Sequence, residues 1–484
     1  MTAQTILPAN SAASGGFDVA NSVRMNRGST DHLRRTNNTG ETSNKIGTYS
    51  GWLKRSTVAL DGMMFEGKDL DANNYTQIYF QATGKLTVYG SGTMDIVSTA
   101  LFRDPTAWYH VCVAIDTTQG TAANRVKIYV NGVQVTSLTN GNGDGVEYPD
   151  QNDVIYFAVN GDQQAIGIRE DGALLWNGYF SEVVYIDGTQ LTPTSFGEFD
   201  EDSGIWKPIK VSGLTFGNNG CYLDFKDSSA LGNVVAGRTA VDFTVTNLTA
   251  VDQSTDTCTN NFATLNPLNS TLTNTVLSEG NLKLVGGRQS AQYTYITGTI
   301  AVSSGKWYWE VKAVDNSEID QVGVAKMDLA QFATISTSTG LQGAAYGGRG
   351  VQMSNGNKVG DGSQGAHMGG FSANNICMIA LDLDNNKITF GRNGSWSNGS
   401  GGADQTFANA TAAYTDLTAG AMYVPAQTMR DSGNNNPGTM EYNFGNAPYA
   451  ISSGNSDGNG HGNFEYAVPS GYFALNTKNL AEHG

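Results

Sequence analysis

Carboxylates, histidines and exposed aromatics are the residues here whose types and spacing could do chemistry. Glu198-Phe-Asp-Glu201 packs three carboxylates into four residues. Retaining glycoside hydrolysis needs two carboxylates on one face, about 5 Å apart. Glu201 follows Asp200 directly, so on a strand it points to the opposite face. Gly197 and Gly204 flank the segment, which reads as a solvated acidic linker. A second group, Asp144, Glu147, Asp150 and Asp153, lies in a Gly/Asn-rich loop. Calcium takes oxygen ligands from loops of this kind, so Asp144, Asp150 and Asp153 are candidate ligands, although the EF-hand spacing is missing. Asp382, Asp384 and Asn385 precede Lys387-Ile-Thr-Phe390 and should shape the turn before a strand. The five histidines, His32, His110, His367, His461 and His483, show no metal-ligand pairing. His110 sits beside Trp108 in a strand and reads as structural. No G-x-S-x-G, H-E-x-x-H or P-loop occurs. No catalytic set emerges, and an enzyme is not expected. The candidate ligand contacts are Tyr308, Trp396 in a Ser/Gly/Asn loop, His367 in a Gly-rich loop, and Arg349 within Gly347-Gly-Arg-Gly350.

The elements that must position these residues are strands. In Gly305-Lys-Trp-Tyr-Trp-Glu-Val311, Trp307 and Trp309 alternate with Tyr308 and Glu310, the period of a strand with one buried face. The two tryptophans belong to a core. Thr48–Lys54, Thr76–Phe80, Lys85–Tyr89, Trp108–Ile115, Arg125–Val130, Val154–Ala158 and Gly178–Ile186 read as further strands. Asn131-Gly132, between β-branched runs, signals a two-residue hairpin. Sixty glycines against ten prolines, with long helical patterns missing, fit many short strands joined by tight turns. The expected fold class is all-β: two antiparallel β-sandwich (jelly-roll) domains joined by an irregular connector. An N-terminal arm should cover residues 1–20, a first sandwich 21–245, a Thr/Asn/Asp-rich connector 246–280 and a second sandwich 281–484.

The net charge of −16 excludes a sequence-independent nucleic-acid binder, which needs a basic surface. No run of about 18 apolar residues is present, so membrane insertion is not expected. The N-terminus lacks the basic and apolar regions of a secretory signal. Cys112, Cys221, Cys258 and Cys377 show no C-x-x-C spacing, and Cys112 and Cys377 sit in apolar runs as buried small hydrophobes.

Residues 21–245 resemble the LamG-like, concanavalin-type jelly rolls of bacteriophage structural proteins. The resemblance is carried by Asn21-Ser-Val-Arg-Met-Asn26, Gly51-Trp-Leu-Lys-Arg55, Trp108-Tyr-His-Val111, Ile128-Tyr-Val-Asn-Gly132 and Gly178-Tyr-Phe-Ser-Glu-Val183. Such domains often bind calcium at a sandwich rim. The second block resembles SPRY domains through the Trp307 strand, Gln321-Val-Gly-Val-Ala325, Leu381–Phe390 with Asn393-Gly394, Tyr423-Val-Pro-Ala426 and Tyr442-Asn-Phe-Gly445. SPRY domains bind through loops at one end, which implies a surface made by loops 315–320, 345–370 and 394–403. Gly220–Phe225, Asp242–Val245, Asp256–Pro267 and Gly471–Leu480 resemble a module of marine tailed-phage virion proteins.

The resemblance implies a virion protein made in the host cytoplasm and exposed on the particle as a fibre or decoration. Its implied partners are other virion proteins, copies of itself (a trimer favoured) and a host surface glycan or receptor. The competing expectations are a virion-associated glycan hydrolase and a secreted bacterial adhesin.

Overall fold

The computed structural model describes residues 16–92, 94–270, 276–286, 293–315, 320–327, 340–342, 347–360, 362–430 and 438–484. These fall into two compact units, 16–260 and 261–484. Both are built from antiparallel sheets, and the one α-helix among the described residues is Thr477–His483. The chain is an all-β protein of jelly-roll β-sandwich type.

The first unit stacks two sheets. One contains, in spatial order, Val126–Val130, Trp108–Asp116, Ile46–Arg55, Gly178–Asp187 and Ser22–Met25. The other contains Asp95–Ser98, Leu86–Gly90, Tyr75–Phe80, Gly62–Lys68, Gln163–Ile166 and His32–Thr36. Alternate residues of each sheet, such as Leu53, Val111 and Val113 facing Ile78, Phe80, Leu86 and Val88, close the core. Asn131 and Gly132 both take positive φ, 49° and 78°, so Val130 pairs with Val133 across the type I′ turn that this dipeptide favours.

The acidic segment is not a free linker. Gly197–Phe199 pairs with Trp206–Pro208 as a hairpin, and Asp200 accepts from Ser203 and from Lys207 Nζ. These bonds hold the Asp200 carboxyl down at about 2. Glu198 and Asp200 both reach Lys207 Nζ, at 3.5 and 3.0 Å, and Glu198 and Glu201 are exposed.

The stretch 246–280 is divided between the units. Gln253–Ser254 joins the first sandwich beside Ser22–Val23, and Leu265–Ser270 pairs with Thr294–Gly298 in the second. Asp256 is fully buried and takes Lys54 Nζ at 2.8 Å and Trp108 Nε1 at 3.0 Å.

In the second unit, Trp307, Trp309 and Val311 point between the sheets with Ile379, Leu381 and Phe390. Asn393 and Gly394 form another two-residue turn, with Arg392 paired to Ser395. The strand's other face, Tyr308 and Glu310, is not open to water. Phe464, Tyr472 and Ala474 of the C-terminal segment cover it, and Phe473–Ala474 runs parallel to Trp307–Tyr308. Glu310 accepts from Tyr308 Oη (2.9 Å), Asn443 Nδ2 (3.1 Å) and the backbone N–H groups of Glu465 (3.0 Å) and Tyr466 (2.8 Å).

Candidate functional site

The four ligand-contact candidates are interior residues. Tyr308 is fully buried, with its ring edge-on to Phe464 and 6.5 Å from Trp396. Trp396 lies on the strand Ser395–Ser397 and packs on Phe407 at 4.7 Å. His367 is buried edge-on to Phe390, and burial pushes its imidazole down to about 4. Arg349 is buried on a different strand, over the Tyr414 ring and paired with Asp416 at 3.3 Å. The expectation of a loop surface therefore fails for these side chains. The C-terminal segment supplies a second apolar layer that claims Tyr308 and Trp396, and Asp416 with Tyr414 claims Arg349. Of the expected binding loops, residues 316–319, 345–346 and 361 lie outside the described residues, as do 1–15 of the expected N-terminal arm.

The calcium expectation meets a similar correction. Asp144 and Asp150 are exposed, Asp153 Oδ2 accepts the Asp150 N–H at 2.7 Å, and the Asp144 N–H donates to Asn140. These bonds are turn bonds. No group of three or more His, Cys, Asp or Glu among the described residues is arranged to hold a metal ion. His110 is a structural histidine. Trp206 Nε1 donates to its Nδ1 at 3.1 Å, which leaves Nε2–H to donate to Ser50 Oγ, and burial holds the ring neutral down to about 3.

The residues that do converge on a concavity lie on the outer face of the first unit's second sheet. On Tyr75–Phe80, Thr76, Ile78 and Phe80 are buried, while Tyr75, Gln77 and Tyr79 face the other way. Register carries this face across the sheet: Arg34, Ala165, Glu66, Gln77 and Tyr89 are successive cross-strand neighbours, with Lys68 opposite Tyr75. The loop 167–176 arches beside them. Arg34 Nη2 pins it by donating to the carbonyls of Arg169 and Glu170, and Leu174 takes a positive φ of 49° where its carbonyl accepts the Met63 N–H. The result is a groove of about 250 Å³, floored by Glu66, Gln77 and three tyrosines and walled by Asn73, Arg169, Glu170, Asp171 and Leu174.

Its chemistry is mixed aromatic and polar. Tyr75 and Tyr89 lie nearly parallel, 25° apart with centroids at 6.0 Å. Glu66 Oε1 accepts from Gln77 Nε2 and Oε2 from the Glu170 N–H, both at 2.6 Å. Burial pushes the Glu66 carboxyl up to about 7 against the pull of these bonds. Arg169 forks onto Asp171 at 2.9 and 2.6 Å, which lowers the Asp171 carboxyl and raises the guanidinium. The signal that could have found this site is the alternation Tyr75-x-Gln77-x-Tyr79 opposite Ile78 and Phe80.

The groove lies within a segment that matches a known family. Residues 27–194 match a laminin G-type family model described as the concanavalin A-like lectin/glucanases superfamily. No curated protein matches the chain. Similar solved structures include the SPRY domain of human HERC1, 18% identical over 37% of this chain and 96% of that one, with a TM-score of 0.28. A heptameric SAP-like pentraxin from Limulus polyphemus is 19% identical over 37% of this chain and 80% of its own, with a TM-score of 0.26. A candidate carbohydrate binding protein from Bacteroides ovatus is 16% identical over 48% of this chain and 60% of its own, with a TM-score of 0.31.

Proposed function

We propose that this chain is a glycan-binding protein carried on a bacteriophage particle, as a fibre or decoration, with the tyrosine-floored groove as its binding site. The observation that carries the binding half is the groove itself. Tyr75, Tyr79 and Tyr89 offer flat apolar faces for the C–H face of a pyranose, while Asn73, Glu170 and Asp171 on the walls offer hydrogen bonds to its hydroxyls above the buried Glu66 and Gln77. The match of residues 27–194 to a lectin and glucanase superfamily supports the same reading. The virion half is supported by the Asp256–Pro267 and Gly471–Leu480 segments with their resemblance to tailed-phage proteins, and assembly as a homo-oligomer, trimer first, accords with particle symmetry. A glycan array probed with the full chain, together with proteomics of purified particles, tests both halves. Binding to a restricted glycan set and stoichiometric copies in particles are expected. An empty array sinks the first half, and absence from particles sinks the second.

A second reading, glycan hydrolysis, is favoured by one observation. Burial pushes the Glu66 carboxyl under the groove up to about 7, the direction a general acid requires, with Glu170 beside it. Release of reducing ends from a bound glycan, lost in Glu66→Gln while binding persists, would establish it. Bound glycan recovered intact would remove it.

A further inference from the structure

We propose that the groove selects uncharged glycans and turns away uronic acids and sulfate esters. This deepens the glycan-binding reading above and rests on it. Recognition of an acidic sugar calls for a cation whose charge is unmatched and whose donors point at the ligand. Both cations of the groove are already committed. Arg169 lies fork-on-fork with Asp171. Lys68 Nζ donates to the carbonyls of Asp69 and Ala72, each at 3.0 Å, and to Asn73 Oδ1 at 3.3 Å. Against these two cations stand the carboxylates of Glu170 and Asp171 and the raised carboxyl of Glu66, so an incoming anion meets no net positive charge at short range.

The neutral contacts point the same way. The near-parallel Tyr75 and Tyr89 rings present π faces, which attract C–H groups and repel anions. The wall carboxylates of Glu170 and Asp171 lie toward solvent above the buried Glu66 and accept hydrogen bonds only. Sugar hydroxyls can donate to them, and a sugar carboxylate or sulfate cannot, because it brings acceptors alone. The net charge of −16 adds a longer-range repulsion of polyanions at low salt.

The full chain, titrated calorimetrically with hexasaccharides of matched length, provides the test. The neutral probes are cello-, xylo- and mannohexaose. The acidic probes are hexagalacturonate and a sulfated carrageenan hexamer. At least one neutral probe should bind, the acidic probes should bind about tenfold or more weakly at low salt, and the gap should narrow as salt rises. Tyr89→Ala should weaken neutral binding about tenfold, while Tyr89→Phe, which keeps the ring and reports on folding, should hold it. Asp171→Asn, by releasing the Arg169 charge, should narrow the gap. If acidic probes bind as tightly as neutral ones and Tyr89→Ala still removes both, the selectivity is wrong and the groove remains the glycan site. If no probe binds, or binding survives in Tyr89→Ala, the groove reading falls and takes this proposal with it.

Discussion

Glu310 is a carboxylate held where no water reaches it, and its neighbours explain why it is tolerated. Four donors converge on its two oxygens, two of them backbone N–H groups from the C-terminal segment. Removing the side chain leaves Tyr308 Oη and one N–H of Asn443 Nδ2 without an acceptor in a dry site, the other N–H still donating to the Asn463 carbonyl at 2.9 Å, while the partly buried Glu465 and Tyr466 amides can recruit water. On the usual cost of about 1–3 kcal/mol for each buried unsatisfied donor, Glu310→Ala should lose about 3 kcal/mol of unfolding free energy in denaturant titrations. A loss below about 1 kcal/mol would mean that the segment is held by packing alone. The ion pair of Lys54 with Asp256 has no such solvent escape, since both side chains are buried. Asp256→Asn leaves an uncompensated ammonium, and a cost of about 3–5 kcal/mol is expected from thermal and urea unfolding. Lys54→Met in the same background should recover part of it.

At the scale of elements, each sheet of the second unit has one face in the sandwich core, and the face carrying Tyr308 is closed by a segment from far along the chain. Phe464 contributes the ring that meets Tyr308 edge-on at 5.1 Å and is itself fully buried. Phe464→Ala should cost about 3–5 kcal/mol and raise binding of a hydrophobic dye to the folded state. An unchanged dye signal would show that the face recloses without it. The same layer explains what was legible in the chain and what was not. The Trp307–Trp309 alternation, the Asn131-Gly132 and Asn393-Gly394 turns and the burial of Cys112 and Cys377 are local facts, decided within a few residues. The covering of Tyr308 and Trp396 is not local. The period of the strand reveals two faces, but only the packing partner decides whether the second face meets solvent, a ligand or more protein. The groove is not legible in the chain for the related reason that its floor is a cross-strand row. Glu66, Gln77 and Tyr89 come from three strands, and their register cannot be read from any one of them.

For the molecule as a whole, buried ionisable groups give the two units different responses to pH. In the first, burial pushes Glu66, Glu182 and Asp162 up to about 7. A carboxyl whose folded value lies above its unfolded value binds protons preferentially in the native state, so stability is lost as pH rises from about 4 to 7. His110, held neutral down to about 3, and His32, also lowered, work in the opposite direction below about 6.5. Three carboxyls outweigh these two imidazoles. In the second unit Glu310, raised to about 6, and His367, lowered to about 4, nearly cancel between pH 4.5 and 6. Glu182 gives the clearest test, since it is buried with Oε1 lacking a partner and Oε2 bonded to Tyr222. Glu182→Gln should gain about 1–2 kcal/mol over wild type at pH 8, where wild type must ionise a buried group, and almost nothing at about pH 4, where the group is protonated in both states. Equal effects at both pH values would rule out Glu182 as a source of the pH response.

The parallel pairing of Phe473–Ala474 with Trp307–Tyr308 also sets a clock on biosynthesis. The ribosome makes the Trp307 strand long before it makes the residues that seal its outer side. During that interval Tyr308, Met378 and Trp396 lack the Phe464 and Tyr472 rings that cover them in the finished protein. Codon changes that slow translation between residues 397 and 463 should therefore raise the demand for chaperones without altering a single contact in the finished protein.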